Sequence, residues 1–162
     1  MVLPVRFFMQ IIKGVLKNLL IYAILFITIF FINTQVFLIT YIPSESMEPT
    51  LKTNQFVLNT RIHHQEIQRY DIVVFKQQDR LLVKRVIGLP GETLTIKGNH
   101  VSVQGKQTTE DFLKEPMLTE DMKCNIPEDQ YFVMGDNRNH SYDSRKFGTI
   151  AKKDMVAIAK LY

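Results

Sequence analysis

Three polar clusters along the 162-residue chain combine residue types that can do chemistry. The first, PSESMEPTL at 43–51, offers the hydroxyls of Ser44 and Ser46 as nucleophile or oxyanion donor. Taken alone it also suits an ordinary turn. Its odd member is Met47, an apolar residue in a polar loop, which either dips into a lipid interface or lines a pocket. The second, LLVKRVIGLPGE at 81–92, sets Lys84 and Arg85 among aliphatic residues. In a strand, Leu82, Lys84 and Val86 share one face and Val83, Arg85 and Ile87 the other. A free lysine is neutral in only about one molecule in 2,500 at pH 7, a shortfall of roughly 4.6 kcal/mol for a base. Desolvation by flanking aliphatic side chains lowers that cost; the alternative is that Lys84 snorkels to solvent from an edge strand. The third, GDNRNHSYDSRKFG at 135–148, concentrates acids, bases, asparagines and serines between two glycines. Such a loop serves as a binding site, a salt-bridged turn or a calcium loop, although its spacing does not match an EF-hand.

These clusters need a scaffold, and the sequence after residue 44 reads as strands. Short β-branched or aromatic runs at 56–58, 71–75, 81–87, 93–96, 101–103, 131–134 and 155–159 are separated by turn signals. Gly88-Leu89-Pro90-Gly91 is a tight turn, with proline presetting φ and glycine accepting positive φ. The polar stretch 104–130 is expected to form a flap or small subdomain. The body at 42–162 is therefore expected to be mainly β.

Ahead of the body, 27 consecutive residues from Asn18 to Ser44 carry no charge, and 18 of the 23 at 19–41 are apolar. As a helix, 19–41 spans about 34 Å, enough to cross a hydrocarbon core of about 30 Å. The polar interruption Asn33-Thr34-Gln35 leaves a strictly apolar part closer in length to a signal-peptide core. No small-x-small cleavage pattern follows, however, and Val36-Phe37-Leu38-Ile39 continues the run, so a retained anchor is expected. Phe7, Phe8, Ile11, Ile12 and Val15, interleaved with Lys13 and Lys17, suit an interfacial lead-in. Arg6, Lys13 and Lys17 precede the run, whereas Glu45 and Glu48 follow it. The positive-inside rule then puts segment 1–18 in the cytoplasm and the body outside. Without those three cations the formal charge of +4 falls to 17 basic against 16 acidic residues, too balanced for a nucleic-acid-binding face. The single cysteine, Cys124, excludes an internal disulfide framework and a Cys-based zinc site; it is either a small buried residue or a free thiol.

In this order the three clusters resemble the nucleophile, lysine and C-terminal boxes of the type I signal peptidases, membrane-anchored Ser/Lys endopeptidases that remove signal peptides from exported proteins. The resemblance is to the short single-span bacterial form and runs from about 19 to 150, with 104–130 unsupported. It implies an antiparallel β-sheet catalytic domain of the signal peptidase and LexA-like type behind one N-terminal transmembrane helix. By resemblance, Ser46 is the nucleophile, Lys84 the general base, and Ser44 with the Ser46 N–H the oxyanion hole. Ser141 matches the lysine-orienting serine. Arg85, Asp136, Asp143 and Arg145 match structural ion-pair positions, and Ile42, Pro43, Leu82 and Val83 the pockets for small side chains. The scheme needs no cofactor, metal or histidine, so His63, His64, His100 and His140 are read as surface or structural residues. The implied partners are preprotein signal peptides and the lipid bilayer, with the secretion translocon nearby. The rival readings are an organellar inner-membrane peptidase of the same family, a self-cleaving repressor, whose DNA-binding head contrasts with the apolar head here, and a silent membrane-anchored β domain.

Overall fold

The computed structural model describes residues 5–62 and 65–159. The chain divides into two compact units at residue 37. The first is helix α1, Val5–Val36. Its stretch Phe7–Val36 has a mean hydropathy of 2.4 and is long enough to cross a bilayer. Phe26, Phe30 and the other large apolar side chains point outward all round, an arrangement that needs apolar surroundings. The two hydroxyls Thr28 and Thr34 bond back to the Ile24 and Phe31 carbonyls, so they are satisfied within the helix.

The helix stops at Val36, five residues short of the expected end of the span at 41, and it reaches back through the segment 1–18 as far as residue 5. The reason lies in the next run. Phe37–Ile42 forms strand β1, whose β-branched and aromatic residues are as apolar as a membrane helix but pair instead with β2, Gln55–Arg61. Asn59, 1% exposed, ties the two together by donating to the Leu38 carbonyl at 2.8 Å and the Thr40 hydroxyl at 2.9 Å.

The second unit holds β3 (Ile72–Gln77), β4 (Arg80–Gly88), β5 (Thr93–Lys97), β6 (His100–Val103), β7 (Lys106–Gln107), β8 (Met122–Asn125), β9 (Gln130–Met134), β10 (Ile150–Ala151) and β11 (Met155–Ala159). Among the described residues these make two sheets. The larger has the order β1-β2-β11-β3-β4-β9-β10 and the smaller β7-β6-β5-β8. The pairings from β2 through β10 are antiparallel, as are those of the small sheet. All seven expected strands are present, within two or three residues at each end. The segment 104–130 supplies β7 and β8, which complete a small sheet begun by β5 and β6. The turn after β4 has Gly91 at φ 74°, where a side chain would be strained.

The alternation along β4 resolves into two cores. Val86 packs with Val73, Phe75 and Val133 on one face, while Ile87 packs with Phe132, Met134 and the small-sheet residues Leu94 and Ile96 on the other. A third cluster, Ile42, Met47, Leu51, Val57, Ile72 and Ala159, lies beneath the loop that carries Ser46. Cys124 packs half-buried at the edge of the second core, and burial pushes its thiol pKa up, which keeps it protonated.

Asn59→Ala strips a buried donor from the β1–β2 seam. The expected loss is about 1–3 kcal/mol, measured by urea unfolding of the detergent-solubilised chain with near-UV circular dichroism; a wild-type midpoint would show that the seam does not depend on this side chain.

Candidate active site

Ser46 sits on a single 3-10 turn, Glu45–Met47, in the loop between β1 and β2. The turn is closed by the Glu48 N–H donating to Glu45 O (3.0 Å), and the loop by Asn54 N–H donating to Ile42 O (2.8 Å). Met47 and Leu51, each 1% exposed, anchor the loop in the third core. Met47 thus belongs to the protein interior and not to a lipid interface; the sequence reads it as apolar in a polar loop, and the loop folds over it. Asn137 holds the turn from the other side. Its backbone N–H donates to Ser46 O at 3.1 Å and its side chain to Glu45 O at 3.2 Å.

Lys84 arises from β4, opposite Val73 of β3. It is 4% exposed, with its Nζ 2.8 Å from Ser46 Oγ and 2.9 Å from the Val83 carbonyl. The snorkelling alternative fails although residues 81–84 pair with β3 alone, because the Lys84 side chain is turned inward onto Ser46 and the Val83 carbonyl instead of out to solvent. Burial lowers the Lys84 pKa from 10.5 to about 8; Asp143 and Asp136 act in the opposite sense. Each of those carboxylates already has a partner. Arg85 grips Asp136 through Nε (2.8 Å) and Nη2 (2.6 Å), and Arg145 grips Asp143 through Nε and Nη2, both at 2.8 Å. Pairing spends most of their pull on the guanidinium groups, so desolvation decides the sign of the Lys84 shift. The arrangement places an amine that is neutral in about one molecule in ten at pH 7, against about one in 2,500 for a free lysine, within proton-transfer distance of a buried hydroxyl.

Ser44 Oγ lies 3.3 Å from Ser46 Oγ, which sets a second hydroxyl beside the nucleophile candidate. Ile42, Pro43, Leu82 and Val83 line one cleft together with Ser46 and Lys84. Its volume is about 40 Å³, far below the several hundred Å³ of a drug-sized site. It has room for little more than a methyl-sized group. Ser141 Oγ is buried and without a hydrogen-bond partner; both Lys84 bonds go elsewhere. Ser141 packs on Gly135, where a Cβ would meet both Ser141 Oγ and the Ser46 carbonyl oxygen. Only glycine lets the third cluster approach the turn so closely.

Among the described residues no group of three or more His, Cys, Asp or Glu side chains gathers to hold a metal. His140 lies 3.5 Å from Glu45 at the exposed rim and His100 beside Gln107; His63 and His64 fall outside the described residues. Sequence reasoning passed over Thr50, Asn137 and Arg138. Thr50 donates to Asp136 at 2.5 Å, and Arg138, 1% exposed, bonds Gly135 O and pairs with Glu110. All three lie inside the polar clusters, so their position was visible and their roles were not.

A 13C titration of labelled lysines in the bilayer-reconstituted chain is expected to show Lys84 with a midpoint near 8. A midpoint near 10.5 would mean the amine is hydrated and no candidate base.

Known proteins resemble this chain in sequence and in fold. The family model described as "Signal peptidase, peptidase S26" matches residues 14–162. A probable signal peptidase I-2 of Synechocystis is 38% identical over 129 residues, 74% of this chain and 59% of that protein. Signal peptidase I V of Bacillus subtilis is 38% identical over 144 residues, 78% of this chain and 86% of that one. This chain thus spans less than two thirds of the cyanobacterial relative and most of the Bacillus one. The crystal structure of a signal peptidase I from Enterococcus faecalis superposes with a TM-score of 0.55 and 31% identity, over 59% of this chain and 98% of that one. With a matching family model over most of its length and a solved relative of the same β architecture, the chain belongs to the signal peptidase family, peptidase S26.

Proposed function

We propose that this chain is a bacterial membrane-anchored serine endopeptidase that cleaves signal peptides from exported preproteins after small-x-small motifs. The observation that carries the reading is the 2.8 Å contact between a buried, pKa-lowered Lys84 and Ser46 Oγ. Neutral Lys84 takes the Ser46 proton as Oγ attacks the scissile carbonyl, and the ammonium then protonates the departing amine. In the second half Lys84 removes a proton from water, which attacks the ester and releases Ser46. Ser44 Oγ and the Ser46 N–H stabilise the oxyanion, and Ser141 steadies the amine in the loaded enzyme.

Substrate specificity follows from the edge of β4. Residues 81–84 pair with β3 on one side, while pairing with β9 begins only at Arg85. An extended peptide adds there as a strand, and its alternate side chains turn toward the cleft lined by Ile42, Pro43, Leu82 and Val83. The small volume of that cleft accounts for a preference for alanine-sized groups. Helix α1 anchors the chain in the bilayer. Arg6, Lys13 and Lys17 hold its start in the cytoplasm, so that the body acts at the outer face, near the translocon. The bacterial and cyanobacterial relatives favour this over an organellar peptidase, and the intact Ser46–Lys84 contact disfavours a silent binding domain.

Ser46→Ala and Lys84→Ala are each expected to lower preprotein cleavage by more than about 1,000-fold while the chain stays membrane-bound. Retention of most activity by either variant would remove the dyad. Ser44→Ala is expected to slow single-turnover acylation by about 100-fold or more; an unchanged rate would take Ser44 out of the oxyanion hole. Mass spectrometry of the new N-terminus locates the cut.

A further inference from the structure

Phe112 comes from the irregular stretch between β7 and β8 that sequence patterning leaves unread. Its ring centroid lies 4.2 Å from Arg85 Cζ, 5.6 Å from the Tyr70 ring and 5.9 Å from Arg138 Cζ. Its neighbours fix it there. Glu110 accepts from both Nη atoms of Arg138 (2.9 and 2.6 Å), Lys114 N–H donates to Asp136 O (3.3 Å), and Lys114 Nζ reaches Glu48 at 2.8 Å. The stretch 110–114 is thus tied to all three polar clusters of the site: to 135–148 through Arg138 and Asp136, to 81–92 through Arg85, and to 43–51 through Glu48.

We propose that Phe112 is a positioning residue for Lys84: its ring covers the Arg85–Asp136 ion pair, keeps water off it, and so preserves a dry, charge-balanced pair one residue along β4 from Lys84. The proposal rests on the peptidase reading above. Arg85 spends its other donors on Tyr70 O (3.0 Å) and Thr50 Oγ1 (3.1 Å), and Asp136 is 0% exposed. The remaining open side of the guanidinium is its flat face, which a ring fits and water otherwise hydrates. With that face wet, the ion pair sits in a higher dielectric and loosens. The Asp136 carboxylate is then less compensated and water stands nearer the amine. Both changes favour the ammonium form of Lys84.

The other charges around the amine do not offset this. Asp143 stays bound to Arg145, and Glu45 and Glu48, on the nucleophile turn, face Lys114 and His140 at the surface. The ring therefore acts on base strength without touching substrate.

The test uses the full chain in lipid nanodiscs with 13C-labelled lysine, the Lys84 resonance being assigned by its loss in Lys84→Ala. Phe112→Ala and Phe112→Leu are expected to raise the Lys84 midpoint by about 0.5 pH unit or more. The acid limb of kcat/KM for a preprotein should follow, with activity recovering at alkaline pH. Phe112→Tyr keeps the ring and should keep both values. Phe112→Leu preserves apolar volume, so it carries the test if Phe112→Ala does not fold. An unmoved midpoint in the leucine variant, with activity reduced equally at every pH, would overturn the proposal and make Phe112 ordinary packing. Absence of any cleavage by the wild-type chain would instead sink the peptidase reading, while the amine titration would still decide the role of Phe112.

Discussion

A lysine held 2.8 Å from a serine hydroxyl does useful chemistry only if it is kept dry, and that constraint organises the rest of the body. Lys84 lies against β3 on one side, with the loop that carries Ser46 facing it and a third apolar core under that loop. Exposure of only 4% makes the ammonium form costly and brings the pKa to about 8. The same burial would be undone by the two carboxylates nearby, since an unpaired anion favours the protonated amine. Arg85 and Arg145 answer that by occupying Asp136 and Asp143 in two-pronged bonds. Structural ion pairs and base strength are thus one problem.

The turn that carries Ser46 meets the converse demand, to be reachable yet immobile. Met47 and Leu51 pin it from below, and Asn137 holds two of its carbonyls from the side. Gly135 then lets the C-terminal cluster close on the Ser46 carbonyl with no Cβ between. What remains open is a cleft of about 40 Å³ and a free stretch of β4 edge. Small volume and open backbone together are what the proposed reading of an extended chain with small side chains rests on.

How much of this was legible in the sequence depends on how the information is stored. The strands of the body were readable because β-branched runs between turn residues repeat a period of two, and β4 showed its two faces directly. Its depth was not readable, since alternation alone does not tell a covered face from an exposed one; the burial of Lys84 depends on the turn carrying Ser46, 38 residues earlier. Composition placed the apolar run but could not end it, because Phe37–Ile42 is equally suited to lipid and to a sheet. The stretch 104–130 was opaque for a physical reason. Its strands are two and four residues long, and its contributions to the site, Glu110, Phe112 and Lys114, lie in irregular backbone with no period to detect. The pairing of Ser46 with Lys84 was suggested by resemblance of the three clusters, as no spacing rule joins two residues 38 apart.

The central claim is that Ser46 forms the covalent intermediate with the aid of Lys84. It is tested most directly by mixing the chain with a preprotein, quenching in acid during the first turnover, and mapping the adduct by mass spectrometry. An ester carrying the signal peptide on the Ser46 Oγ is expected in the wild type and none in Lys84→Ala. Cleavage without any ester on Ser46, or an ester that forms at the wild-type rate in Lys84→Ala, would contradict it.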